Sequence, residues 1–140
     1  MSVKLDAADL NAFMAAQFPQ VAAQFHVEHV SPMAAEVRLK VTDAHLRPGG
    51  TISGPSMFSL ADLAMYAVTL AMIGPVALTV TTNCAIDFMR KPIAGRDLIG
   101  SARLLKLGRT LAVGDVLIRS EGSDDVVARA SLTYAIPPAR

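Results

Sequence analysis

Between Pro48 and Ile86 only one side chain carries a charge, the carboxylate of Asp62. It stands among Leu60, Ala61, Leu63 and Ala64, in the most hydrophobic run of the chain. Aspartate is a poor helix-interior residue and is costly to bury without a partner. Two readings are open at this point. The carboxylate accepts hydrogen bonds from a neighbouring loop or subunit, or it serves as a base or nucleophile. Two turns earlier, Ser53-Gly54-Pro55 marks a helix start. Free N–H groups and the helix dipole favour a carbonyl oxygen gaining negative charge there. Glycine at such a place lets a substrate approach the backbone closely. A polarising donor together with a carboxylate is what ester or thioester hydrolysis requires.

Other reactive side chains offer less. His26 and His29 lie on a strand-like segment whose nearest carboxylate, Glu28, is expected to face the other way, so no metal site is expected. His45 sits in a loop rich in Gly and Pro and would have to supply any hydratase imidazole. Cys84 is the sole cysteine and lies among small apolar residues with no histidine nearby, which reads as a core position. Met57, Met65, Met72 and Met89 read as core or as an adaptable apolar pocket.

The elements that must position Asp62 follow from periodicity. Asp6 or the residues before it can cap a first helix carrying Leu10, Phe13, Met14 and Phe18, which Pro19 should stop. A short strand is expected around His26–Val30, broken at Ser31-Pro32. Ala35, Val37, Leu39 and Val41 then alternate with charged residues in a half-buried strand. Pro55 suits a helix's first turn, with Ser53 or Gly54 as its cap. This helix runs to about Ile73, before Gly74-Pro75, and its nearly uniform apolarity predicts burial on all sides. Strands are expected at 77–88, 98–107, 111–118 and 126–134. The sum is an α+β arrangement, one antiparallel sheet wrapped around one long central helix. A single domain is expected over residues 1–140, with residues 1–24 as an N-terminal helical extension.

Composition narrows the partners. Hydrophobic residues make up 52% of the 140 and charged ones 18%, more apolar than an average soluble domain. The one long apolar run, Met57 to Ile73, holds a carboxylate and falls short of the roughly 20 apolar residues of a membrane span, so extra apolar surface is expected in a homo-oligomer. Net charge is +1 with scattered basic residues, and Trp is absent, which argues against a nucleic-acid partner. A single cysteine and an N-terminus without an apolar signal core fit a cytoplasmic location.

Three segments carry a family resemblance. Ser53-Gly54-Pro55-Ser56-Met57-Phe58-Ser59-Leu60-Ala61-Asp62 resembles the His-Gly-Gly-x4-Leu-Ala-Asp motif of hotdog-fold acyl-CoA thioesterases, nearest to the phenylacetyl-CoA thioesterase-like (PaaI-like) branch. The run Thr82 to Pro92 is similar to that family's strand ending in Asn-Phe-Leu-Arg-Pro. The run Leu104 to Val113 resembles its Lys-x-Gly-Arg-x-Leu-Ala turn. Ser53 stands where the motif has His, and Pro55 where it has a second Gly.

The resemblance implies a hotdog fold and hydrolysis of an acyl- or aryl-CoA thioester. In it Asp62 is the base or nucleophile, and the Gly54 amide polarises the carbonyl. Arg47 and Ser53 would line the pocket, and Thr81 or Thr82 would orient water. Arg90 and the Gly108-Arg109 turn would meet the CoA end, although a solvated tip is an equal reading of Arg109. It further implies dimers whose sheets join, often paired into tetramers with shared sites, and no cofactor beyond the CoA of the substrate. The alternative is a non-catalytic hotdog module that binds acyl-CoA or serves as a structural dimer, a reading that the loss of the motif His favours.

Overall fold

The computed structural model describes residues 2–138. Helix α1 (Ala7–Gln17) begins with a reciprocal cap: Asp9 N–H donates to Asp6 Oδ1 at 2.8 Å and Asp6 N–H donates to Asp9 Oδ2 at 3.0 Å. Pro19 does more than end this helix. It occupies the first turn of a second, short one, α2 (Pro19–Ala22), because its missing N–H would have no helical partner there.

Strands β1 (Phe25–Ser31) and β2 (Ala34–Leu39) form a hairpin. Pro32 and Met33 make its turn, Met33 adopting φ 64°, as the third position of a type II turn requires. The chain then enters the long helix α3 (Gly54–Ile73). Strands β3 (Val80–Phe88), β4 (Leu98–Leu107), β5 (Leu111–Ser120) and β6 (Val126–Ala135) follow. The first of these starts three residues later than its composition suggests, because residues 77 and 78 form a turn after α3.

All neighbours pair antiparallel in the order β1-β2-β4-β5-β6-β3. The six strands wrap α3, giving the hotdog architecture expected from the sequence. Alternate residues Val37 and Leu39 of β2, Ile118 of β5 and Leu132 of β6 are buried to 2% or less, and they face α3 through Leu60, Ala64 and Val68. Gly114 marks how closely helix and sheet approach. A Cβ there would lie 3.0 Å from Met65 Sδ and would overlap the Arg103 carbonyl oxygen. Helix α3 is long and apolar enough to cross a membrane, yet here it is the core that the sheet encloses.

The two edges of the sheet differ. At β1 the Asn11 side chain acts as a substitute strand: Nδ2 donates to Val27 O at 3.0 Å and Oδ1 accepts from Val27 N–H at 2.9 Å. Among the described residues strand β3 pairs only with β6, and Val80 and Phe88 at its ends are 54% and 51% exposed.

Candidate active site

Burial on all sides is not what α3 shows. Pro55, Phe58 and Ser59 are exposed, and Asp62 and Leu63 are half-buried. These positions recur every three or four residues, so they form one stripe that the sheet leaves open. The stripe floors a cleft of about 600 Å³. Phe18, Val21 and Phe25 wall one side, and Ala77 to Thr81 with Tyr134 wall the other. The Asp62 carboxylate therefore reaches a mostly apolar hollow without being sealed in the core.

Its geometry is specific. Thr81 Oγ1 and Tyr134 Oη each stand 2.6 Å from Asp62 Oδ1, and Tyr134 Oη is also 2.8 Å from the Asp62 carbonyl oxygen. Short O–H···O bonds of this length suit a carboxylate as acceptor. Both donors serve Oδ1, and among the described residues none serves Oδ2. One oxygen is thus fixed in place while the other is available to a water or a substrate. Thr82, the neighbouring candidate, turns its hydroxyl to Thr133 O at 3.3 Å instead. The β-bulge between Thr81 and Asn83 separates the two threonines' directions.

Tyr134 was not legible from the sequence motifs. The available signal was weak: one of two tyrosines in the chain, at an inward position of a strand, where its hydroxyl needs a partner. Burial and then the Asp62 charge push its phenol far above the ordinary range, so it stays a donor. Tyr66, one turn beyond Asp62, packs tilted against Tyr134 with ring centroids 6.1 Å apart and donates to Ala77 O at 3.1 Å. Burial pushes its phenol up to about 12. The Cys84 thiol is also pushed up, by burial and then by Asp62, which keeps it a poor nucleophile.

Gly54 begins α3 at the opposite end of the stripe. Ser53 caps the helix, its Oγ accepting from Ser56 N–H at 3.2 Å and lying 2.8 Å from Ser56 Oγ. The side chain at the motif's histidine position is therefore engaged in capping. Pro55 has no N–H, which leaves the Gly54 N–H as the free donor of this first turn. Gly54 approaches the Phe88 ring closely: a Cβ would lie 3.3 Å from Phe88 Cζ, a contact that the half-exposed ring would relieve by moving a few tenths of an ångström. Gly54, Arg47, Phe88, Arg90 and Lys91 line a second cleft of about 360 Å³. Arg90 Nη1 lies 3.6 Å from Asp125 Oδ2 and is exposed.

The candidates thus fall into two groups within one chain. Eight helical steps separate Gly54 from Asp62, about 12 Å. Thr81 and Phe88 are seven strand steps apart, about 23 Å. The Gly108-Arg109 turn is exposed and lies at the Thr81 end, since Thr110 O accepts from Ile136 N–H and Leu111 pairs with Ala135, itself the partner of Val80.

Among the described residues no histidine ring lines the Asp62 cleft, although the His45 carbonyl accepts from Ser53 N–H at 2.8 Å beside the start of α3. Thr42 N–H donates to His45 Nδ1 at 2.9 Å, which puts the ring proton on Nε2, 3.0 Å from Gln24 Oε1. Both nitrogens are occupied, and the residue is 6% exposed. Glu28 does not face away from His26 as expected. The two share a strand face, with Nε2 and Oε2 3.5 Å apart, because residues two apart on a strand point the same way.

Comparisons with known proteins converge on one group. Residues 49–134 match the thioesterase superfamily. A crystal structure named as a "putative thioesterase" from Silicibacter sp. TM1040 is 54% identical, with a TM-score of 0.92 over 99% of this chain and 96% of that one. A variant of the phenylacetic acid degradation protein PaaI from Thermus thermophilus is 28% identical, with a TM-score of 0.72 over 85% of this chain and 99% of that one. A "putative esterase" from Deinococcus radiodurans is 33% identical over 98 residues, 70% of this chain and 64% of that protein.

Proposed function

Because the chain belongs to the thioesterase superfamily, we propose that it hydrolyses an acyl- or aryl-CoA thioester at Asp62, in a site completed by a second copy of the chain. The observation that carries this reading is the Asp62 carboxylate itself. It is held through Oδ1 by Thr81 and Tyr134 on the open stripe of α3, with Oδ2 left toward an apolar cleft.

Asp62 works on the thioester through Oδ2. Acting as base, it takes a proton from a water whose oxygen attacks the carbonyl carbon. Acting as nucleophile, it forms an anhydride that water then opens. In both routes the C–S bond breaks, the thiolate leaves and is protonated, and the free acid remains. A backbone N–H aimed at the carbonyl oxygen stabilises the charge that develops there. Gly54 supplies such a donor, but about 12 Å along the helix from its own Asp62.

A second copy resolves that distance. The exposed edge of β3 is a template for another strand. Antiparallel pairing of two β3 edges about a two-fold axis near their middle sets the Thr81 end of one against the Phe88 end of the other. Gly54 packs on Phe88 and Asp62 bonds Thr81, so the partner's amide comes beside the first chain's carboxylate. The same operation carries the partner's basic cluster of Arg47 and Arg90 toward Asp62, where the Arg109 turn already lies. Guanidinium groups suit the phosphates of CoA. At the other edge Asn11 already takes the N–H and carbonyl of Val27, which disfavours strand pairing there.

The test is release of free thiol from a panel of acyl- and aryl-CoA thioesters by the purified protein, read with a thiol reagent. Turnover on at least one is expected. Tight binding of the panel without release would overturn the catalytic reading in favour of a binding module.

A further inference from the structure

The N-terminal helical pair is more than an appendage to the sheet. Helix α1 is anchored by Leu10 and Met14, each 1% exposed, and by the paired bonds of Asn11 to Val27. Pro19 then fixes the turn into α2, and Gln24 at its far end is bonded to His45. Between these anchors Phe18 and Val21 are directed into the Asp62 cleft. The Phe18 ring meets Tyr66 edge-on, with centroids 5.9 Å apart and planes at 82°. Tyr66 is itself pinned by its bond to Ala77 and by Tyr134. Phe18, Tyr66 and Tyr134 therefore form a continuous aromatic wall, which starts at the carboxylate with Tyr134 and continues through Tyr66, one turn of α3 or about 6 Å along, to Phe18.

We infer that this wall is the stop of the acyl pocket, and that Phe18 sets the length of acyl group the protein accepts. The inference rests on the thioesterase reading above and deepens it. An apolar acyl group leaving the carbonyl at Asp62 and running along the stripe toward Tyr66 meets the Phe18 edge after a short chain or a single ring. The opposite end of the stripe, at Phe58 and Ser59, also lines the cleft but is exposed, and among the described residues no aromatic pair packs across it. Unlike Tyr66 and Tyr134, Phe18 makes no hydrogen bond through its side chain, so its size can be changed without orphaning a polar group.

The experiment compares kcat/KM for butanoyl-, hexanoyl-, decanoyl- and hexadecanoyl-CoA in the wild type, Phe18→Ala and Phe18→Trp. Removing the ring should raise the decanoyl-to-butanoyl ratio by about tenfold or more, the scale at which apolar pockets discriminate methylenes. Enlarging it should lower that ratio. A purely structural role for Phe18 would depress all four substrates alike and leave the ratio fixed. If Phe18→Ala does not fold, Phe18→Leu should shift the ratio in the same direction. An unchanged ratio in folded variants of both sizes overturns the inference. A wild type inactive on every substrate would instead contradict the thioesterase reading. Calorimetric affinities of wild type and Phe18→Ala for the same four thioesters then decide the pocket question, with the same shift expected and a flat comparison overturning it.

Discussion

Tyr134 and Asp62 lie 72 positions apart in sequence, yet the tyrosine hydroxyl stands 2.6 Å from the carboxylate Oδ1 and 2.8 Å from the same residue's carbonyl oxygen. A strand from the end of the chain thereby fixes the reactive side chain of the central helix. Thr81 adds a second donor to the same oxygen. The arrangement holds the carboxylate in one rotamer and leaves its other oxygen for chemistry.

Tyr134→Phe removes one of those donors while keeping the ring. Hydrogen bonds to charged groups contribute about 1.5–3 kcal/mol. A loss of roughly tenfold in kcat is expected, with KM little changed, because the ring still lines the cleft. Steady-state kinetics across the acyl panel check it. A rise in KM at constant kcat would show that Tyr134 binds substrate instead of positioning Asp62.

The two tyrosines also make an alkaline prediction. Both phenols are raised, Tyr66 to about 12 and Tyr134 further still. A raised folded value means the native state holds its proton where the unfolded chain has lost it. The stabilisation is complete below the unfolded value near 10 and is lost as pH climbs above it. No other tyrosine exists in the chain and there is no tryptophan. Ultraviolet titration of the folded protein should therefore show no tyrosinate at pH 10, while the denatured chain is half ionised there. Tyrosinate appearing in the folded protein at pH 10 would contradict the packing described.

Sharing of the site between two chains can be tested by complementation. Asp62→Asn removes the carboxylate, and Gly54→Pro removes the N–H at a helix position that tolerates proline. Each homodimer should be inactive. Mixed, unfolded and refolded together, they should regain about a quarter of wild-type activity, since half the dimers are mixed and each has one intact site. A mixture as inactive as its components would place the whole site within one chain.

Arg90 and Arg109 should hold the charged end of the substrate. Alanine at either should raise KM more than it lowers kcat, and the effect should fade as salt screens exposed charges. A collapse of kcat with KM unchanged would contradict that assignment.

The sequence revealed Asp62 because burial and charge conflict so openly in that run. It also revealed the start of α3, where Ser53 caps and Pro55 needs no donor, and the strands from Leu98 onward, whose alternation is regular. Three features escaped it for physical reasons. The open stripe of α3 is set by how far the sheet curls, and residues on a uniformly apolar helix do not announce which face is left bare. The partnership of Tyr134 with Asp62 depends on strand order, in which β6 lies beside β3 although β4 and β5 intervene in sequence. The second helix at Pro19 looked like a stop because proline ends one helix and begins another with the same chemistry. The distance between Gly54 and Asp62, by contrast, was implicit in eight residues of helix.

The most direct measurement is kcat and melting temperature of Asp62→Asn on one sample. The amide keeps the shape, and its oxygen can still accept from Thr81 and Tyr134, so melting should shift by only a few degrees, equivalent to about 1 kcal/mol. Binding of acyl-CoA should persist, while turnover should fall by about a hundredfold or more, the scale of lost general-base or nucleophilic help. A variant that melts much earlier yet keeps its turnover per folded molecule would make Asp62 a structural anchor, and one that is both stable and fully active would contradict the account at its centre.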